Sequence, residues 1–236
     1  MKKPFDKLEN FAVGYDPMGY VITIDGPAAS GKSSLSRELS KKLNCPWVST
    51  GAFYRGLGYA ALQLKTDLTD PIALSELCNS DVWEVRLAWE RTQVFFKNEN
   101  VTDQIAQEAV GNVASKISHY PEVRQSLLDH QRNCALVNDG LIAEGRDCGT
   151  VVFPHAEVKL YLTADSENRA QRRAQELGMD EKSLVQQQQI RDKQDSTRKV
   201  APLSIPADAL VIDTTTMDLA QVVATAENYI RSRISL

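Results

Sequence analysis

No two of the four cysteines, Cys45, Cys78, Cys134 and Cys148, form a CxxC pair, and the three histidines, His119, His130 and His155, are equally scattered. Neither a zinc-ligand spacing nor a disulfide framework results, so free thiols in a reducing compartment are expected. Apolar runs such as Val21 to Ile24 and Leu141 to Ala143 fall far short of the ~20 residues a membrane-spanning helix needs. The opening Met1-Lys2-Lys3-Pro4-Phe5-Asp6 is followed by no apolar stretch, so no secretory signal is expected and the setting reads as cytoplasmic. A Lys/Arg block is missing too: 27 basic against 31 acidic side chains leave a net charge of −4. Duplex nucleic acid and anionic membrane are therefore poor partners, and any anionic ligand must find its cations gathered locally by the fold.

What the chain has is hydrophobic content, 42% of 236 residues, enough for a sizeable core in one large domain or two small ones. Short β-branched runs at Tyr20 to Asp25, Pro46 to Ser49, Leu141 to Ala143, Val158 to Leu162 and Ala209 to Ile212 read as buried strands. Helical patterns cover Ser33 to Leu43, Ala52 to Leu64, Val123 to Val137, Ser166 to Leu177, Leu184 to Asp195 and Leu219 to Ile230. This alternation predicts βαβ units and an α/β fold, a parallel sheet with helices on both faces. The stretch from about 65 to 118, with Trp83, Trp89, Phe95 and Phe96, interrupts it as an insertion. Residues 1–18 read as a tail, leaving 19–236 as the folded domain.

Gly26-Pro27-Ala28-Ala29-Ser30-Gly31-Lys32-Ser33 fits GxxxxGK[ST], between a strand and a helix as the mechanism requires. Backbone N–H groups of such a loop cradle phosphate, Lys32 reaches the β- and γ-phosphates, and the Ser33 hydroxyl can ligate Mg²⁺. A GTPase switch would need DxxG after the loop and NKxD for guanine. The DxxG at Asp16 to Gly19 precedes the loop, no NKxD exists, and no apolar segment ends in an Asp-Glu pair. A small-molecule kinase is the class left in front.

An alcohol acceptor benefits from a carboxylate base, whereas a nucleotide phosphate is already an anionic nucleophile and faces repulsion instead. Two unit charges 4 Å apart cost about 4 kcal/mol at an effective dielectric near 20, so convergent arginines are expected. Thr50-Gly51-Ala52-Phe53-Tyr54-Arg55 and Glu144-Gly145-Arg146-Asp147 each follow a strand, at the sheet edge where ligands bind in open α/β folds. Arg191, Asp195 and Arg198 share one face of the expected helix from Leu184.

Through ITIDGPAASGKSS, STGAFYR, EGRDCGTVVFP, RDKQDSTR leading into APL, and ADALVIDTTTM, the chain resembles the bacterial-type cytidylate kinases over about residues 19 to 232. The resemblance implies a P-loop NTPase core with a five-stranded parallel sheet, an inserted NMP-binding subdomain at about 65–118 and a short lid at about 166–198. It implies transfer of the ATP γ-phosphoryl group to CMP or dCMP, with Mg²⁺, no nucleic acid polymer, no membrane and a monomeric enzyme. ATP would be held by Gly26 through Ser34 and by Arg172, with Arg169 and Arg173 beside it in the lid. Lys32, Arg146 and Arg191 would be catalytic. Arg55, Arg146 and Arg198 would hold the acceptor phosphate, Asp195 the pentose, and Ser115, Arg124 and Asp147 the cytosine edge, with Thr50 and Arg191 also binding substrate, Arg191 close to the transferred phosphoryl group. Ser49 and Ala106 depart from the family pattern, which usually has aspartate and arginine there. A kinase of UMP or of an alcohol metabolite, and a nucleotide-responsive binding module without catalysis, are the alternatives.

Overall fold

The computed structural model describes residues 19–136, 138–177, 193–198 and 200–235. The tail at 1–18, Arg191, and most of the helix expected from Leu184 lie outside the described residues. The frame is a five-stranded sheet of β1 (Tyr20–Asp25), β2 (Trp47–Ser49), β6 (Gly140–Gly145), β7 (Val158–Thr163) and β8 (Leu210–Asp213). Their order is β2-β6-β1-β7-β8 and every neighbouring pair is parallel. All five expected strands are present, shifted by a few residues at their ends.

Burial on both faces explains why these strands read as continuous apolar runs. Along β1, Val21 faces one core while Ile22 and Ile24 face the other; along β6, Leu141 and Ala143 share the side of Val21 and Ile142 the opposite one. Helices α1 (Lys32–Leu43) and α8 (Leu219–Arg233) cover one face through Leu35, Leu39, Val222, Ala226 and Ile230. Helices α2 (Thr50–Leu64) and α6 (Pro121–Leu136) cover the other through Phe53, Leu57, Val123 and Leu127. Most of these aliphatic side chains are fully buried, which at about 1.5–3 kcal/mol each is the main term holding the layers together. Helix α7 (Ser166–Leu177) follows β7.

The interruption after β2 forms α3 (Pro71–Cys78), β3 (Trp83–Arg86), β4 (Gln93–Phe96), β5 (Glu99–Asn100), α4 (Thr102–Ala106) and α5 (Glu108–Ile117). Its strands make a separate antiparallel sheet. Lys97 and Asn98, both left-handed at φ 49° and 67°, close the β4–β5 hairpin as a two-residue turn that matches strand twist. Asp70 caps α3 by accepting from the Ile72 and Ala73 amides, with Pro71 at the first helical position. The aromatic side chains Trp83 and Phe96 pack this small sheet on the cores flanking α2.

Candidate active site

The phosphate loop and the arginines expected beside it converge at the carboxyl edge of the five-stranded sheet. Between β1 and α1, Gly26 takes φ 147° with no room for a Cβ, which would lie 2.2 Å from the Leu162 carbonyl; Gly31 has open space but φ 92°. Lys32 is buried and donates to the Pro27 carbonyl at 2.6 Å and to Ser30 Oγ at 3.4 Å. Burial lowers its ammonium to about 7, the Arg146 guanidinium adds to the fall, and Glu144, Asp25 and Asp195 oppose it. The Ser33 hydroxyl donates to Glu144 Oε1 at 2.8 Å and that of Ser36 to Oε2 at 3.4 Å. A hydroxyl beside a carboxylate at the head of a phosphate loop is a hard-oxygen pair suited to Mg²⁺ that keeps substrate phosphates as its other ligands.

Two buried groups fix this loop from behind. Asp25, wholly buried, accepts from the Cys148 and Gly149 amides at 2.9 and 2.7 Å; burial pushes its carboxyl up to about 6 against those two bonds. The amides open a π-helical turn, Cys148–Val152, whose last carbonyls, Val151 and Val152, accept from Arg132 at 3.0 and 2.9 Å. Asp147 precedes that turn and is aimed by it. Arg169 donates to the Ala164 and Ala28 carbonyls at 3.0 and 3.2 Å and is 7% exposed. It is thus a strut under the phosphate loop, a different place from the lid surface expected for it; the side chain of Arg173 lies outside the described residues.

A cavity of about 480 Å³ opens beside the loop, lined by Gly31, Ser34, Arg172, Thr214, Met217 and Val222 among others. Arg172 donates to the Thr214 hydroxyl at 3.0 Å and carbonyl at 2.6 Å, which lays its flat guanidinium along the cavity wall. On the other side, Lys32, Thr50, Tyr54, Arg55, Ser115, Arg146, Asp147, Asp195 and Arg198 line a second cavity of about 160 Å³. Arg146 Nε donates to Asp195 Oδ2 at 2.9 Å, and Arg198 Nη2 lies 3.6 Å from Asp195 Oδ1. That Nη2 is buried with no hydrogen-bond acceptor, since 3.6 Å is an ion-pair distance and too long for a bond. Arg124 and Asp147 form a buried ion pair, with the Arg124 guanidinium 5.6 Å from the Tyr54 ring centroid. Ser115 donates to Gln194 Oε1 at 3.0 Å, across the cavity mouth. Arg55 Nη1 donates to the Ile105 carbonyl at 2.7 Å, while the Thr50 hydroxyl turns back to the Glu144 carbonyl at 2.9 Å. A third cavity, about 390 Å³, runs from Lys32, Glu144 and Arg146 out to Arg37, Arg91 and Thr92.

The sequence-expected site residues within the described residues thus lie in one loop, in the walls of two adjoining cavities or, as Arg124, paired to a residue of such a wall. Four contributors were not anticipated: Asp25, Glu144 in its position on Ser33, Arg169 as a strut, and Thr92. Glu144 carried a legible signal, as a lone carboxylate near the end of an apolar strand where an Asp-Glu pair is absent. Among the described residues no group of three or more His, Cys, Asp and Glu could hold a metal by itself, and no helix is long and apolar enough to cross a membrane.

The family model described as cytidylate kinase matches residues 22–232. The chain is 64% identical over 217 residues to a cytidylate kinase of Bdellovibrio bacteriovorus, covering 92% of this chain and 100% of that protein. It is 43% identical over 223 residues to one of Aeromonas salmonicida, covering 92% and 96%. An uncharacterized protein from Eubacterium ventriosum of known crystal structure shares the fold at a TM-score of 0.53 and 14% identity, covering 91% of this chain and 99% of that one.

Proposed function

Because this chain belongs to the cytidylate kinase family, we propose that it transfers the γ-phosphoryl group of ATP to CMP or dCMP, giving ADP and CDP or dCDP. The observation that carries the acceptor assignment is the 160 Å³ cavity, where Arg55, Arg146 and Arg198 surround space that adjoins Lys32, and Asp147, paired to Arg124 behind it, is part of the wall. An arginine set with one buried, unbonded N–H suits a dianionic phosphate better than a neutral alcohol.

In this reading the 480 Å³ cavity takes the adenosine of ATP against Arg172, and the backbone of Gly26 to Ser34 cradles its phosphates. Lys32 contacts the transferred group. Arg146 and Arg198 turn from Asp195 toward the acceptor phosphate, which attacks in line and needs no base. Asp195, relieved of part of its pairing, accepts from the pentose hydroxyls. Asp147 accepts from the cytosine amino group while Arg124 and Ser115 donate to N3 and O2; uracil would set a carbonyl against the carboxylate. Ser33 and Glu144 would hold Mg²⁺, which when bound neutralises charge developing on the β- and γ-phosphates. Arg191 belongs to the same proposal on family resemblance alone.

The insert at about 65–118 is the acceptor-binding subdomain in this reading and the region 166–198 its lid. A cytoplasmic monomer belongs to the same proposal on family resemblance alone. A coupled assay of ADP release with CMP, dCMP, UMP and AMP tests the assignment. Turnover highest with CMP or dCMP supports it, and turnover highest with UMP or AMP, or with none, overturns it.

A further inference from the structure

Among the described residues, strand β2 is an edge strand: β6 pairs with one side of it and no other strand joins the sheet there. An unpaired edge leaves N–H groups to be satisfied elsewhere. Here the loop between β3 and β4 takes up one such N–H, that of Ser49, and two neighbouring side chains. The Ser49 amide donates to Thr92 Oγ1 at 2.8 Å, Trp47 Nε1 to the Trp89 carbonyl at 3.0 Å, and Arg37 Nε to the Glu90 carbonyl at 3.2 Å. Residues 89–92 therefore form a strap from the insert to the core, and Thr92, 5% exposed, is its buried end.

The bond to Ser49 falls at a sensitive place. Ser49 is the N-cap of α2 but makes no side-chain cap bond, so the direction of the first turn is set by its backbone. That turn carries Thr50 and Gly51 into the acceptor cavity, and Arg55 follows one turn later. On the core side the Thr50 hydroxyl holds the Glu144 carbonyl at 2.9 Å; on the insert side Thr92 holds Ser49. We propose that Thr92 is a positioning residue for the acceptor phosphate: its hydroxyl fixes the β2–α2 junction so that the α2 N-terminus and Arg55 meet the phosphate at the right distance. The donor site stands on β1, α1 and α7, and the strap touches it at its exposed end, where Arg37 of α1 holds the Glu90 carbonyl, rather than at Thr92.

The inference rests on the proposed function, and the experiment separates the two. Thr92→Val keeps the shape and strands the Ser49 amide; KM for CMP should rise about tenfold or more while KM for ATP stays within about twofold. Thr92→Ser keeps the oxygen and should restore the wild-type KM for CMP. Should Thr92→Val fail to fold, Arg37→Ala loosens the exposed anchor one residue pair away. It should raise KM for CMP about two- to threefold, and by more than it raises KM for ATP. Wild-type turnover of CMP with an unchanged Thr92→Val variant overturns the positioning role only. So does an equal rise for both substrates, or a Thr92→Ser variant as impaired as Thr92→Val. A wild-type chain inert toward CMP overturns the functional assignment and this role with it.

Discussion

Lys32 offers a test that does not depend on which acceptor is used. Its ammonium sits at about 7, lowered first by burial and then by Arg146. At pH 8 such a group is about nine-tenths neutral. The triphosphate of ATP places negative charge beside it, which favours the ammonium and returns it toward the ordinary lysine range. Binding should then take up about 0.9 proton per ATP at pH 8, about half a proton at pH 7, and almost none below pH 6. Because each unit of pKa is about 1.4 kcal/mol, ATP affinity should weaken about tenfold per pH unit above 7. Calorimetric titration with ATP alone, in buffers of different ionisation enthalpy, reads the uptake directly. The terminal phosphate, with a second pKa of about 6, has already ionised at pH 8 and contributes little. Lys32→Met should abolish the uptake, and Lys32→Ala should lower turnover by about 10²-fold or more. Uptake that persists in Lys32→Met would assign the proton to another group, Asp25 foremost, and refute the reasoning.

Asp147→Asn is the sharper test of base choice, because Asp147→Ala would leave Arg124 buried and unpaired at a cost of about 3–5 kcal/mol. The Asn variant should lose about 1–3 kcal/mol in kcat/KM for CMP relative to UMP; equal losses would give Asp147 a purely structural task. Asp195→Ala should weaken CMP by about 1.5–3 kcal/mol with far less effect on ATP, and unchanged CMP saturation curves would return Asp195 to a simple ion-pair role. Arg172→Ala should raise KM for ATP about two- to tenfold at constant KM for CMP, checked by the same kinetics. Phe153→Ala, at 1% exposure in the core under the π-helical turn, should cost about 3–5 kcal/mol of stability in denaturant unfolding.

The sheet and the phosphate loop were legible because their signals are local: a two-faced apolar strand, a glycine pair, a lysine and a serine in fixed spacing. The convergence of Arg55 and Arg146 was legible by topology, each following a strand whose carboxyl end meets the same edge, while Arg198 was legible through helix spacing and the family resemblance. What was not legible depends on partners distant in sequence. Arg169 reads as a basic helix face until the Ala28 carbonyl is seen 141 positions away. Asp25 reads as the end of a strand until it is found holding amides 123 and 124 residues later. Thr92 sits in a stretch with no periodicity at all, and its task is defined only by the bare edge of β2.

The pairing of β1 also bears on how the chain folds as it is made. Tyr20 meets Gly140 in register, 120 residues later, so the central ladder cannot begin until α2, the insert and α6 have left the ribosome. At about 5–20 residues per second that is a wait of roughly 6–24 s, during which β1, apolar on both faces, has no partner. The insert closes over short loops, with β3, β4 and β5 consecutive in the chain. Local contacts form first because their loop-closure cost is small. The order of assembly is therefore written into the strand order: the insert becomes structured while the catalytic edge does not yet exist, and β1 is the segment most in need of chaperone cover.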